Sequence, residues 1–316
     1  MKRIGIPRGL LFYKYFVLWK EFLKGLGFEV LISPPTTKEI LLEGVRSCVD
    51  EACFAVKVFC GHVAYLKDKV DYLFIPRYAS VEKKGFLCAK FWGLPDIIRN
   101  TFPDAPVILS PNIDCNKRSL FEAYLFFALE LKKSFFKILK SWQSAQNKQK
   151  EFELLMEEKR FGLLEAMGLT ERDRILRRDS PSVRIALLGH PYNIYDSVAS
   201  QDILKRLEDM GAEVSTAEMV SKDRLQKESG DFWNIYWTYD RELAGAVQHF
   251  LKEGIDGVIF IVSFPCGPDS LIIDYLTRLI SDRLPVLNLV IDEHQSEVGV
   301  LTRLEAFIEI VRRRKR

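Results

Sequence analysis

Short apolar runs alternate with amphipathic stretches along the first third of the chain. The pattern predicts strands at residues 3–7, 28–33, 70–76 and 106–110. It predicts helices at residues 10–26, 38–47 and 52–67. Strands that alternate with helices indicate βαβ units and a mostly parallel sheet. We therefore expect a Rossmann-like α/β domain over residues 1–118.

The pattern changes at about residue 119 and changes back at about residue 181. Residues 119–180 are predicted to be helical, with many charges and few Gly or Pro. Beyond them, strands are predicted at residues 184–188, 213–216, 257–263 and 285–291. Helices are predicted at residues 197–210, 242–252, 268–280 and 299–312. The sequence thus predicts two doubly wound, mostly parallel α/β domains, 1–118 and 181–316, joined by a helical segment.

Composition and charge narrow the classes of function. Lys and Arg number 46 and Asp and Glu number 43, a net charge of +3, whereas a dedicated nucleic-acid-binding domain is strongly basic. No apolar run reaches the roughly 20 residues of a membrane-spanning helix, and the first residues lack a secretory signal pattern. We expect a cytoplasmic protein without nucleic-acid or membrane partners. Its six cysteines are then thiols or metal ligands rather than disulfides.

The glycine-rich phosphate motifs of nucleotide-binding enzymes are absent from the sequence. It contains neither a G-x-x-x-x-G-K-[ST] loop nor a G-x-G-x-x-G fingerprint after a strand. We therefore expect this chain to bind neither ATP nor NAD.

Chemically distinctive side chains follow the predicted strands of the second domain. His190 and Asn193 come after the run that ends at residue 188, and Asp292 and His294 come after the run that ends at residue 291. Ligands of open parallel sheets bind beyond the carboxyl ends of the strands. These four residues are therefore candidates to line a cavity. The alternative is ordinary turn chemistry, in which Gly, Pro, Asn and Asp are common.

Cys266 also follows a predicted strand, and it precedes a predicted helix start at Gly267, Pro268 and Asp269. A thiol at the positive end of a helix dipole is favoured as the thiolate, which can act as a nucleophile or a metal ligand. The alternative is a small buried apolar residue, a common role of free cysteine.

The other five cysteines lie in the first domain, at positions 48, 53, 60, 88 and 115. Their spacing matches neither a zinc ribbon nor a ferredoxin motif, both of which place two residues between ligands. Cysteines from separate loops can still converge on one cluster, so the spacing leaves a metal site open.

Several motifs resemble one known family along most of the chain. They are Glu51-Ala52-Cys53-Phe54-Ala55-Val56-Lys57, Gly61-His62-Val63, Ile75-Pro76-Arg77, Cys88-Ala89-Lys90-Phe91-Trp92-Gly93-Leu94-Pro95-Asp96, Gly189-His190-Pro191-Tyr192-Asn193, Cys266-Gly267-Pro268-Asp269-Ser270, Ile291-Asp292-Glu293-His294 and Thr302-Arg303-Leu304-Glu305-Ala306-Phe307. The sequence is identified as a member of the acyl-CoA dehydratase activase-related proteins, also called CoA protein activases. These are similar to the cluster-bearing subunits of 2-hydroxyacyl-CoA dehydratases.

The resemblance implies a 4Fe-4S cluster with Cys53, Cys88 and Cys266 as ligands. Cys48, Cys60 and Cys115 fall outside the motifs. They are expected to be either buried thiols or further ligands of a double-cubane cluster. The resemblance also implies an anaerobic system with a separate activase ATPase of the sugar kinase/actin-like superfamily. A second dehydratase-like subunit or a homodimer is implied as well.

Two functions follow as hypotheses. In the first, the chain is an iron–sulfur protein that receives electrons from the activase for a dehydratase (lyase) or reductive reaction. His190, Asn193, Asp292 and His294 would then line the cavity. In the second, the chain is a non-catalytic binding or scaffold subunit of such a system, without a cluster of its own.

Overall fold

A computed structural model describes residues 1–158, 162–169, 182–232 and 234–315. The strands are β1 (Arg3–Ile6), β2 (Glu29–Ile32), β3 (Tyr72–Phe74), β4 (Arg77–Ser80), β5 (Val107–Leu109), β6 (Asn112–Asp114), β7 (Val183–Gly189), β8 (Ala212–Ser215), β9 (Gly257–Ser263) and β10 (Val286–Ile291). The α-helices are α1 (Phe12–Gly25), α2 (Lys38–Ser47), α3 (Phe54–Leu66), α4 (Ala89–Thr101), α5 (Leu120–Glu130), α6 (Phe135–Glu157), α7 (Leu163–Ala166), α8 (Pro191–Ile194), α9 (Ile203–Asp209), α10 (Lys222–Glu228), α11 (Thr238–Glu253), α12 (Gly267–Ile280) and α13 (Glu297–Lys315).

The chain divides into two compact units. Unit 1 comprises Met1–Ala52, Val56–Phe152 and Tyr236–Thr238. Unit 2 comprises Cys53–Ala55, Glu153–Ile235 and Tyr239–Arg316. The helices α5 and most of α6, from the segment predicted to be helical, thus belong to unit 1. The predicted domain boundary near residue 180 lies outside the described residues.

Unit 1 is built on a parallel sheet in the order β2-β1-β3-β5. β1 is a central strand, and its Ile4 and Ile6 are fully buried. Aromatic side chains of α1, α5 and α6 form much of the core, since the ring of Phe22 contacts those of Tyr124 and Trp142 at centroid distances of 5.1 and 6.1 Å. The strands β4 and β6 pair separately, also in parallel.

Unit 2 contains a second parallel sheet, in the order β10-β9-β7-β8. Every residue of the central strand β9 is buried. One face of the sheet packs against α11 and α12, through buried residues such as Phe260, Val247 and Leu276. The prediction of an α/β fold with parallel sheets is therefore confirmed in each unit.

Several helices differ from the sequence prediction. The predicted helix at 197–210 forms only as α9, because Gln201 and Asp202 have backbone φ angles of 53° and 55°, in the left-handed region. α11 begins at Thr238 rather than at residue 242. α4 was not predicted at all, since Pro95 lies inside it and Pro usually interrupts a helix.

The helices α2 and α3 of unit 1 approach so closely that their backbones touch. A Cβ atom added at Gly44 would collide with the main-chain oxygen of Lys57, and one added at Gly61 would collide with that of Ile40. Only glycine permits such an approach. Thr37 caps the first turn of α2, where its hydroxyl oxygen accepts a hydrogen bond from the main-chain N–H of Ile40 at 3.3 Å.

Among the described helices, none has the length and apolar composition needed to cross a bilayer.

Candidate functional site

Buried polar side chains collect at the carboxyl edge of the sheet in unit 2. β7 ends at Gly189 and is followed directly by His190, while Ser263 is the last residue of the neighbouring strand β9. The single turn of α8 then places Asn193 after β7. All three polar side chains are buried. Since buried polar groups require partners, their contacts define the site.

His190 pairs with a carboxylate from α12. Its Nε2 atom lies 2.8 Å from Oδ1 of Asp269, and the two residues are 7% and 1% exposed. Asp269 lies in the first turn of α12, where the helix dipole favours a negative charge. The rings of Tyr192 and Tyr239 contact the imidazole, at centroid distances of 5.1 and 6.0 Å. These contacts fix the position of the ring.

Asp240 adds a second carboxyl group to this pair. It lies in the first turn of α11, is 2% exposed and forms a hydrogen bond with Asp269. Burial, and then the charge of Asp269, raise the pKa of Asp240 to about 7, while His190 acts in the opposite direction. Two acidic groups that share a buried site cannot both ionise readily. Asp240 can therefore hold or release a proton near neutral pH.

Asn193 supplies a hydrogen-bond donor at the same edge. The hydroxyl of Ser263 donates to Oδ1 of Asn193 at 2.6 Å, which fixes the orientation of the amide. The amide Nδ2 atom is buried, and no described residue accepts a hydrogen bond from it. An unsatisfied buried donor costs free energy, so Nδ2 is suited to bind a carbonyl or hydroxyl oxygen of a ligand.

The two other predicted cavity residues lie in the turn after β10. The main-chain N–H of His294 donates to Oδ1 of Asp292 at 2.9 Å, and the side chain of His294 is exposed. This bond is typical of an Asx turn. A role of Asp292 and His294 in a cavity stays a prediction.

The three cysteines in the family-like motifs share one structural feature, a position at the N-terminus of a helix. Cys53 directly precedes α3, Cys88 is the N-cap of α4 and Cys266 is the N-cap of α12. These helices have 13, 13 and 14 residues. The positive end of a helix dipole favours a thiolate, so all three positions suit a metal-bound sulfur.

The other three cysteines occupy different environments. Cys48 is the C-cap of α2 and Cys60 lies inside α3, where it is fully buried. The two thiols form a hydrogen bond, and this bond lowers the pKa of Cys48, with smaller effects from the charges of Lys57 and Lys90. Cys115 follows β6, and its pKa is raised by burial and by the nearby carboxylates of Asp114 and Glu82.

The loops of Cys53 and Cys266 are joined by a hydrogen bond within unit 2. The main-chain N–H of Phe54 donates to the main-chain oxygen of Phe264 at 2.7 Å. The peptide bond between Phe264 and Pro265 is cis. Cys88 belongs to unit 1.

The donor chemistry of these cysteines fits an iron–sulfur cluster, because clusters are held by thiolates. The structure groups the loops of two of the three, Cys53 and Cys266, in one unit. Within the described ranges, no three His, Cys, Asp or Glu side chains form a group that could hold a metal ion. The full ligand set of Cys53, Cys88 and Cys266 stays a prediction.

Sequence reasoning missed Asp240 as a site residue and gave Asp269 only the role of a helix-start acid. The helix that carries Asp240 was predicted to begin two residues later, which left Asp240 in an unassigned loop. A signal for Asp269 was present in the sequence, because Asp269 closely follows the predicted strand at 257–263, as His190 follows the predicted strand at 184–188. The hydrogen bond between the two side chains, however, depends on the pairing of β7 with β9.

Comparison with known proteins finds one family and weak structural likenesses. Residues 3–220 match the family model described as "CoA enzyme activase uncharacterised domain". This range includes Cys53, Cys88 and His190, whereas Cys266 lies beyond it. No curated protein matches the sequence.

Two solved structures illustrate the structural likenesses. A protein of Silicibacter pomeroyi DSS-3, described as a phosphosugar isomerase, is 11% identical with a TM-score of 0.23, and the match covers 98% of this chain and 84% of that protein. The C-terminal domain of glucosamine-fructose-6-phosphate aminotransferase from Francisella tularensis is 10% identical with a TM-score of 0.22, over 99% of this chain and 85% of that domain. Similarity at this level supports no functional argument.

Proposed function

Because the chain belongs to the family described as "CoA enzyme activase uncharacterised domain", we propose that it is an iron–sulfur component of a CoA-linked activation system. Membership of the family indicates a role in such a system. The finer proposal is that this chain receives electrons from a separate ATP-driven activase of the sugar kinase/actin-like superfamily. It would serve a dehydratase-like or reductive reaction, together with a second dehydratase-like subunit or a second copy of itself.

The observation that carries this proposal is the shared position of three cysteines. Cys53, Cys88 and Cys266 come from separate parts of the sequence, yet each lies at the N-terminus of a helix of at least 13 residues. The helix dipoles stabilise the deprotonated sulfur that iron requires. The other three cysteines lack this position. We therefore assign Cys53, Cys88 and Cys266 as the ligands of a 4Fe-4S cluster, which when bound would supply one-electron chemistry.

The buried groups of unit 2 would handle protons and orient the substrate. Asp240, with its pKa raised to about 7, can give or take a proton at neutral pH. The proton would pass through Asp269 and the imidazole of His190, which are 2.8 Å apart. Asn193, held by Ser263, would donate from Nδ2 to a carbonyl or hydroxyl oxygen of the substrate. Removal of a hydroxyl group from an acyl chain requires a proton for the departing oxygen and a hydrogen-bond donor that holds the substrate in place.

Anaerobic purification of the full chain tests the cluster. We expect a brown protein with about four irons per chain. Cys266→Ala should lose most of the iron and the visible absorbance, because the cluster would lose a ligand from α12. Cys115→Ala is the matched control, since the raised pKa of Cys115 favours a neutral thiol; this variant should keep its iron.

The alternative function predicts a different result. A non-catalytic binding or scaffold subunit would be colourless and free of iron after anaerobic purification, and that outcome would overturn the cluster assignment. Equal iron content in Cys266→Ala and the wild type would overturn the ligand set. Circular dichroism of both variants shows whether a loss of iron results from a loss of fold.

A further inference from the structure

A buried arginine lies at the carboxyl edge of the sheet in unit 1. Arg8 comes two residues after β1 and is 6% exposed. Its main-chain N–H donates to the hydroxyl oxygen of Ser33, the residue after β2, at 2.8 Å. Its guanidinium carbon lies 5.9 Å from the ring centroid of Phe12. The loops after two neighbouring strands thus hold this side chain in place.

The charge of Arg8 is not neutralised by any carboxylate in the described part of the chain. Its Nε atom is buried and forms no hydrogen bond with a described residue. Burial of an unpaired charge is unfavourable. Arginine is also the side chain best suited to bind phosphate and carboxylate groups, because its planar fork presents several N–H donors.

A fully buried histidine lies near this guanidinium. His62, on α3, is 0% exposed, and its Nε2 atom lies 2.9 Å from Oγ1 of Thr36, in the loop after β2. Burial, and then the charge of Arg8, lower the pKa of His62 to about 3, so the imidazole is neutral at pH 7. When the hydroxyl of Thr36 donates to Nε2, the proton of the ring is on Nδ1.

Like Nε of Arg8, Nδ1 of His62 is a buried polar atom without a hydrogen bond to a described residue. The guanidinium of Arg8 is close enough to act on the imidazole of His62, both side chains are more than nine-tenths buried, and Nδ1 is a donor when Thr36 donates to Nε2. The carboxyl edge of a parallel sheet is the usual position of a ligand in such folds. An anionic oxygen group bound there would satisfy both atoms and neutralise the guanidinium.

We propose that Arg8 and His62 form an oxyanion-binding site in unit 1, which takes the phosphate group of a small ligand. The tetrahedral phosphate has enough oxygens to accept from the guanidinium and from Nδ1 of His62 at the same time. The site lies in unit 1, whereas the buried side chains of Asp240, Asp269 and His190 lie in unit 2. It does not depend on an iron–sulfur cluster.

Thermal unfolding and calorimetry of the full chain test this site, with inorganic phosphate, pyrophosphate and acetate as probes at constant ionic strength. We expect phosphate or pyrophosphate to bind saturably and to raise the melting temperature. Arg8→Gln should weaken binding about 10- to 100-fold, the loss of a hydrogen-bonded charge. His62→Gln should weaken it about tenfold or less. Binding of acetate without binding of phosphate or pyrophosphate would overturn the assignment of phosphate as the ligand group.

Arg99→Gln is the matched control, because the guanidinium of Arg99 is exposed and paired with Asp96 at 2.8 Å; phosphate binding should be unchanged. Arg8→Met gives a second readout. Without phosphate it should be as stable as the wild type or more stable, since it removes an unpaired buried charge. Phosphate should not raise its melting temperature.

The proposal is overturned when the wild type binds neither phosphate nor pyrophosphate, or when Arg8→Gln binds them as the wild type does. Strong destabilisation of Arg8→Met without phosphate would also overturn it, because it would show that Arg8 has a structural partner. Parallel measurements on iron-containing and iron-free protein separate this test from that of the cluster, because the phosphate affinity should be the same in both.

Discussion

Replacing Gly61 with alanine is expected to lower the free energy of unfolding of unit 1 by about 3 kcal/mol or more. In an ordinary helix the same change is favourable by about 1 kcal/mol, since alanine has the higher helix propensity. Here the added Cβ atom would collide with the main-chain oxygen of Ile40 on α2. A main-chain atom cannot rotate away as a side chain does, so the two helices must separate. Chemical denaturation followed by circular dichroism measures the loss.

Gly93→Ala provides the matched control. Gly93 also lies inside a helix, α4, but a Cβ atom there would meet no atom within 4 Å. This variant should be as stable as the wild type, or more stable by up to about 1 kcal/mol. The close contact of α2 and α3 would be contradicted by a Gly61→Ala variant that behaves like Gly93→Ala.

The consequences of Gly61→Ala should extend to function. α3 begins directly after Cys53 and carries His62, so a displacement of α3 changes the position of a proposed cluster ligand and of a proposed phosphate ligand. We expect partial loss of iron and weaker phosphate binding in the fraction of the variant that remains folded. The two glycines of this helix pair thus connect the packing of unit 1 to both proposed sites.

The short strands β4 and β6 were not predicted, whereas strands that are buried on both faces, such as β9, were predictable from the sequence. Such strands appear as continuous apolar runs, and the run at 257–263 coincides with β9. The helices were less predictable where the backbone departs from the usual preferences of its residues. Gln201 and Asp202 adopt left-handed backbone angles, and nothing in their side chains requires this. α4 was not predicted because Pro95 lies in its middle, and Pro usually interrupts a helix.

For the candidate sites, the sequence predicted which residues follow a strand, but it did not predict which side chains meet in the folded protein. The position of His190 after a strand could be inferred from the sequence. Its pairing with Asp269 depends on the order of β7 and β9 in the sheet, and the proximity of Asp240 depends on how α11 packs. Likewise, Arg8 directly follows the predicted strand at residues 3–7. Its burial near His62 depends on how α3 packs in unit 1. Tertiary contacts of this kind leave no trace in local patterns.

Asp240→Asn is expected to change the dependence of stability on pH. The pKa of Asp240 is raised from 3.8 to about 7 in the folded protein. Between about pH 4 and pH 7 the folded chain therefore holds a proton at Asp240 that the unfolded chain has released. Folding takes up this proton, so its contribution to stability is complete below about pH 4 and decreases by up to about 1.4 kcal/mol per unit as the pH rises toward 7.

Asparagine cannot ionise, and its amide group can donate to Asp269 as the protonated carboxyl does. The wild type should thus lose stability from pH 5 to pH 7 relative to Asp240→Asn, by up to about 1.4 kcal/mol per pH unit. Denaturation curves at pH 5, 6, 7 and 8 measure this difference. Asp274→Asn is the control, because Asp274 lies on the same helix as Asp269 but is exposed and paired with Arg278 at 3.0 Å; its curve should run parallel to that of the wild type.

Parallel curves for Asp240→Asn and the wild type would show that Asp240 is ionised throughout this range. Asp240 would then hold no exchangeable proton at neutral pH. A divergence of the expected sign would instead place the proton on Asp240, beside the Asp269 carboxylate that contacts His190. The same measurement therefore decides whether Asp240 can serve as the proton donor of the proposed dehydration, independently of whether iron is bound.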